Sequence, residues 1–104
     1  MSCTIDVQPK QQQEGLDIVR GDRQATAEVG AFLVALQDDP LPSGRQKLGP
    51  DDATAFWCEL DCGVYVSWEI EASPDDMIRL SFGHVSPAVL VRVRGFGRSA
   101  PPGK

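Results

Sequence analysis

Apolar and polar positions follow two different rhythms along this chain, and the change falls near residue 53. Before it, Ala25, Val29, Phe32, Leu33 and Leu36 recur at helical spacing and form one apolar stripe. Asp22 stands as its N-cap behind Gly21. Asp38-Asp39-Pro40 stops it, because the residue before a proline avoids the α region. Gly30 inside the stripe weakens the helix by about 1 kcal/mol relative to Ala. Upstream, Cys3, Ile5 and Val7 alternate with polar residues and predict a short strand. Pro9 suits the first turn of a helix, where its missing N–H is not needed. Lys10 to Arg20 is ambiguous: three glutamines favour helix, whereas Leu16-Asp17-Ile18-Val19 admits an extended piece. Residues 10–36 are therefore either one bent helix or two.

After residue 53 the period becomes two. Phe56, Cys58 and Leu60 alternate with Trp57, Glu59 and Asp61, and Cys62-Gly63 marks a turn. Val64, Val66, Trp68 and Ile70 then alternate with Tyr65, Ser67, Glu69 and Glu71. Ser73-Pro74-Asp75-Asp76 reads as a second turn, followed by a third alternating run of Ile78, Leu80, Phe82 and His84. Val89, Val91 and Val93 offer a further strand or edge. The pattern predicts an α+β domain over residues 1–94. It has an N-terminal strand and one or two helices packed on one face of an antiparallel three- to four-stranded meander. Residues 95–104, rich in Gly and Pro, read as a flexible tail.

Length and composition narrow the function classes. The chain has 104 residues, and that size favours one domain. No stretch approaches the run of about 20 apolar residues that a membrane span needs. The first residues carry neither a basic start nor an apolar signal core, and three cysteines do not make a disulfide framework. A cytoplasmic location is the expectation. Charge is unevenly spread: residues 1–84 hold all 15 acids and six basic residues, whereas 85–104 hold four basic residues and no acid. The densest acidic stretch, 51–76, has no basic residue at all. Nucleic-acid affinity rests on Lys and Arg neutralising phosphates, so this field disfavours non-specific RNA or DNA binding and suits a basic protein partner.

Three strings resemble the RelE/ParE toxin superfamily, small bacterial domains of type II toxin–antitoxin pairs. Ala35-Leu36-Gln37-Asp38-Asp39-Pro40 followed by Gln46-Lys47-Leu48 is similar to the family's helix–Pro–loop–Lys-Leu segment. Gly63-Val64-Tyr65-Val66-Ser67-Trp68-Glu69-Ile70 stands where the family has a Gly-Tyr-Arg strand. Ile78 to His84 resembles its last core strand, which often ends Gly-His-Arg. The resemblance implies a strand–helix–helix–meander fold, an antitoxin partner and ribosome-dependent cleavage of mRNA. It also implies His84 and Lys47 as catalytic residues, beside which Tyr65, able to donate a proton or stack on a base, completes the candidate set. Yet the family's arginines are absent: Tyr65 and Val85 stand in two of their places, and Glu59 lies in a strand that often carries Arg or Lys. One such transition-state contact is worth about 2.7–4 kcal/mol, so a chain lacking two is at best a weak ribonuclease.

Replacement RNA contacts would have to come from Arg45, Arg79, Arg92 and Arg94. His84, the only histidine, is either a general base or a strand-end residue with a satisfied hydrogen bond. The competing class is a small acidic binding protein of immunity or inhibitor type, with Trp57, Glu59 and Asp61 facing a basic partner. No motif calls for a cofactor. Cys58 and Cys62 are spaced C-x₃-C, but the remaining ligands for a metal are not in evident reach, and no metal site is assigned.

Overall fold

The computed structural model describes residues 2–49 and 54–98. The chain runs β1 (Thr4–Asp6), α1 (Pro9–Val19), α2 (Arg23–Asp38), β2 (Gln46–Lys47), β3 (Ala55–Glu59), β4 (Tyr65–Glu71), α3 (Pro74–Ser81) and β5 (Leu90–Gly97). The expected α+β class is observed. The sheet, however, is mixed and has five strands, in the order β1-β5-β4-β3-β2, with β1 parallel to β5 and the other pairs antiparallel.

Residues 10–36 form two helices. Pro9 opens α1. A turn at Arg20-Gly21 separates the helices, with Gly21 at φ 77. Asp22 caps α2: its Oδ1 accepts the Ala25 N–H at 3.0 Å. The stripe faces the sheet as its spacing demands, with Ala25, Val29 and Leu36 buried and Phe32 and Leu33 packed beside them. Gly15, which made α1 ambiguous, is the contact point of that helix with β5. A Cβ there would stand 3.0 Å from the Phe96 ring, so the small residue lets α1 approach.

One reading is corrected. Ile78, Leu80, Phe82 and His84 do not form a strand. Residues 74–81 are α3, and His84 follows it in a loop. The segment Ser73-Pro74-Asp75-Asp76 is a helix start rather than a turn. Ser73 Oγ accepts the Asp76 N–H at 3.2 Å, Pro74 occupies the first turn, and two acids sit at the positive end of the helix dipole. At the other end Gly83, at φ 86, lets its own N–H and that of His84 reach the carbonyls of Leu80 and Arg79. Leu80 is the buried residue of the run, whereas Ile78 and Phe82 are 57% and 79% exposed. A second correction concerns the end of the domain: β5 continues to Gly97, through the start of the expected tail. Residues 99–104 of that tail, and Asp51 and Asp52 of the acidic stretch, lie outside the described residues.

The core lies between one face of the sheet and the helices. Val64 and Val66, Trp68 and Ile70 are buried at the centre, flanked by Phe56, Val91, Val93 and Phe96. Trp68 is fully buried, 5.5 Å edge-on from Phe32 and 6.1 Å from Phe56 between ring centroids. Its indole N–H donates to the Pro40 carbonyl at 3.1 Å. Two stability outcomes follow. Trp68→Phe loses that bond and leaves a void, and is expected to cost about 1–3 kcal/mol, read as a lower urea midpoint at unchanged slope. Gly30→Ala, where an added Cβ meets nothing within 4 Å, is expected to stabilise α2 by about 0.5–1 kcal/mol in the same assay.

Candidate functional site

The helices among the described residues cover one face of the sheet, and the other, left uncovered by them, carries mostly the polar positions of the alternating strands. Cross-strand pairing places Trp57 opposite Ser67, Glu59 opposite Tyr65, and Arg92 between Glu69 and Asp6 on that uncovered face. Arg92 is held by three carboxylates. Its guanidinium lies 3.2 Å from Glu71, 3.4 Å from Glu69 and 3.6 Å from Asp6, and Glu71 leads the charges that push its pKa up. A guanidinium so surrounded offers little to a phosphate.

The residues predicted as catalytic do not converge. Tyr65, opposite Gly97, marks one end of the β4–β5 ladder, and Glu71, opposite Leu90, marks the other. At about 3.3 Å per residue these ends are roughly 20 Å apart. His84 follows α3 at the Glu71 end and is exposed. Lys47 is on the edge strand β2, opposite Phe56, and so on the helix side of the sheet rather than beside Tyr65.

The arginines are equally dispersed. Arg45 stacks over the Phe56 ring at 5.5 Å and donates to the carbonyls of Leu41 and Pro42, which ties down the loop before β2. Arg79 pairs with Asp76 within α3. Arg94 is exposed on β5. Of the partner-facing set, Trp57 and Glu59 share the uncovered face, and Asp61 is at the β3–β4 turn beyond them.

The Tyr65 end of this face is tied to both α1 and α2. Arg98 donates to the carbonyls of Ile18 and Cys62 and to Asp22, joining the α1–α2 turn to the β3–β4 turn. Glu28 of α2 accepts the Cys62 N–H at 2.9 Å. Hydrogen bonds from Gln24 and then from Cys62 hold its carboxyl below the usual range. Glu14 of α1 accepts the Phe96 N–H at 2.7 Å. Sequence reasoning missed Glu14, Ser67, Gly95, Gly97 and Arg98. The usable signal was the pair of glycines inside an alternating run, which marks a bulge or a close approach.

The cysteines are free. Burial pushes the thiols of Cys3 and Cys58 up, which keeps them protonated. Cys3 Sγ contacts the carbonyls of Leu36 and Gln37 at 3.2 Å, where α2 ends. Among the described residues no three His, Cys, Asp or Glu side chains are grouped to hold a metal, and no helix is long and apolar enough to cross a membrane.

No family model, curated protein or solved structure matches this chain.

The clamp at the Tyr65 end has a pH signature. The Ala25 N–H and then Arg98 hold the Asp22 carboxyl below its ordinary value. A carboxylate with a depressed folded pKa adds stability above its unfolded pKa, about 3.9, and loses it as pH falls through the folded value. Asp22→Asn keeps a cap but not the charge. Its melting temperature is expected to lie below that of the parent at neutral pH, with the gap closing in acid. A gap constant with pH would contradict this.

Proposed function

We propose that the chain is a non-enzymatic binding protein that presents the uncovered face of its sheet to a basic protein partner. The observation that carries this reading is the make-up of that face. Half-buried Trp57 and Tyr65 share one end of that face with Glu59, while Asp6, Glu69 and Glu71 stand toward the other, where they encircle the guanidinium of Arg92. Aromatic side chains supply rigid contact area at interfaces. Acidic neighbours speed the approach of a basic surface and repel phosphate. An RNA-cleaving site needs the opposite field, together with a proton-transfer group and phosphate grips in one place. His84, Lys47 and Tyr65 lie on three separate parts of the molecule.

A second reading, a RelE/ParE-like toxin with an antitoxin partner, is supported by the coarse order of a strand, two helices and then antiparallel strands, though residues 78–84, the last core strand in the resemblance, lie in α3 and the loop after it. One experiment separates the two. Induced alone in bacteria, the chain is expected to leave growth and ribosome-bound message intact. Co-expressed with a growth-arresting basic protein encoded beside it, the chain is expected to restore growth, and Trp57→Ala combined with Glu59→Lys to lose the rescue. Growth arrest on induction alone, with message cut inside codons and relief by His84→Ala, would overturn the binding reading in favour of the toxin.

A further inference from the structure

Strand β5 is paired by β1 only as far as Arg92, and beyond that point α1 lies along its edge. Where the neighbour changes, the ladder to β4 slips. Trp68 pairs with Val93 and Ser67 with Gly95, leaving Arg94 as the extra residue of a bulge. Glu14 reaches over this edge from α1 to take the Phe96 N–H. The result is an open dent of about 320 Å³, walled by Glu14, Leu48, Tyr65, Ser67 and Arg94. Its floor is bare backbone. A Cβ on Gly95 would stand 3.0 Å from Glu14 Oε1 and 3.7 Å from Ser67 Oγ, and a Cβ on Gly97 would run into the Tyr65 ring. Glycines inside a strand weaken it; here Gly95 leaves room beside Glu14 and Ser67, and Gly97 makes room for the Tyr65 ring.

We propose that this dent is the anchor site for an arginine side chain of the basic partner, an inference that rests on the binding reading above. The chemistry of the walls selects that group. One carboxylate oxygen of Glu14 is taken by Phe96, and the other makes no hydrogen bond or ion pair among the described residues. The Tyr65 hydroxyl is in the same position. The Ser67 hydroxyl makes only a long contact, 3.4 Å, to the Gly95 carbonyl. Three side chains that carry acceptor oxygens, one of them aromatic, therefore line the space. A guanidinium has five N–H donors in a fixed plane and stacks on aromatic rings, whereas an anion would meet the Glu14 carboxylate. Leu48 gives the methylene stem an apolar wall. Glu59, opposite Tyr65 in the ladder, adds a second negative charge, and Arg94 at the rim holds an interaction of its own.

The test is an amide NMR titration of the full chain with N-acetyl-arginine amide, using the uncharged citrulline analogue and sodium acetate as counter-probes. Arginine is expected to give saturable shifts at Gly95, Phe96 and Gly97, and citrulline a much smaller response. Glu14→Gln, whose side-chain oxygen still accepts from Phe96, is expected to weaken binding about tenfold, the size of one charge-assisted hydrogen bond. Tyr65→Phe should weaken it less. Equal responses to arginine and citrulline, saturation by acetate but not arginine, an unchanged Glu14→Gln variant, or no shift at all would each overturn the site. A flat titration beside intact growth rescue removes the dent and leaves the binding reading standing. Saturation without rescue supports the guanidinium site and removes the binding reading.

Discussion

The fold depends on burying one indole. Trp68 sits midway along β4, the central strand of the sheet, and is touched by α2 through Phe32, by β3 through Phe56 and by the loop after α2 through Pro40. Its position fixes the register of everything around it. In a strand, moving one residue exchanges the two faces, so any slip would bring Glu69 into the core and send Trp68 to water. The neighbouring apolar residues of β4 and β5 repeat the same instruction, and α2 meets them with a stripe of matching width. The indole N–H adds direction to a contact that burial alone would leave loose, because the Pro40 carbonyl can serve it in one orientation only.

A sheet covered on one side must still manage its edges. Strand β1 is three residues long and leaves most of β5 without a strand partner on that side. An unpaired edge invites pairing with another chain. Here α1 lies along the exposed stretch, Gly15 allowing the approach, and Glu14 takes the Phe96 N–H that a strand would otherwise have taken. The bulge belongs to the same solution. It shifts the alternation of β5 by one residue, so that Val93 and Phe96 both point to the core. A helix thus replaces a strand, and its carboxylate is brought onto the uncovered face.

Much of this was legible in the alternation itself. The apolar positions of β3, β4 and β5, the cap and stop of α2 and the single covered face all follow from period and punctuation. Residues 78–84 were misread because Ile78, Leu80, Phe82 and His84 alternate by coincidence, while Ser73, Pro74 and the two acids act as a helix start. A cap and a turn use the same residue types, and only the packing of Leu80 decides between them. The site was less legible. Trp57, Glu59 and Tyr65 could be placed on one face from the strand period, but Glu14 is brought there from a helix distant in sequence. The parallel pairing of β1 with β5, which sets where α1 lies, leaves no trace in local pattern.

The two ends of the uncovered face are built differently, and that difference bears on which end binds. At the end bearing His84, α3 exposes Ile78 and Phe82 and pairs Arg79 with Asp76 within the helix, and Arg92 ties β1, β4 and β5 together through Asp6, Glu69 and Glu71 without joining a helix to the sheet. At the end bearing Tyr65, Arg98, Asp22, Glu28 and Glu14 join both helices to the β3–β4 turn and to β5, each through a backbone group or a charged partner. Ordering side chains on binding costs about 0.5–1.5 kcal/mol for each flexible one, so affinity favours surfaces already held in place. A phenol laid across a glycine, beside a carboxylate fixed by a backbone N–H, has lost most of that freedom before a partner arrives. The same contacts that close the edge of the sheet thus prepare the surface where recognition is cheapest in entropy.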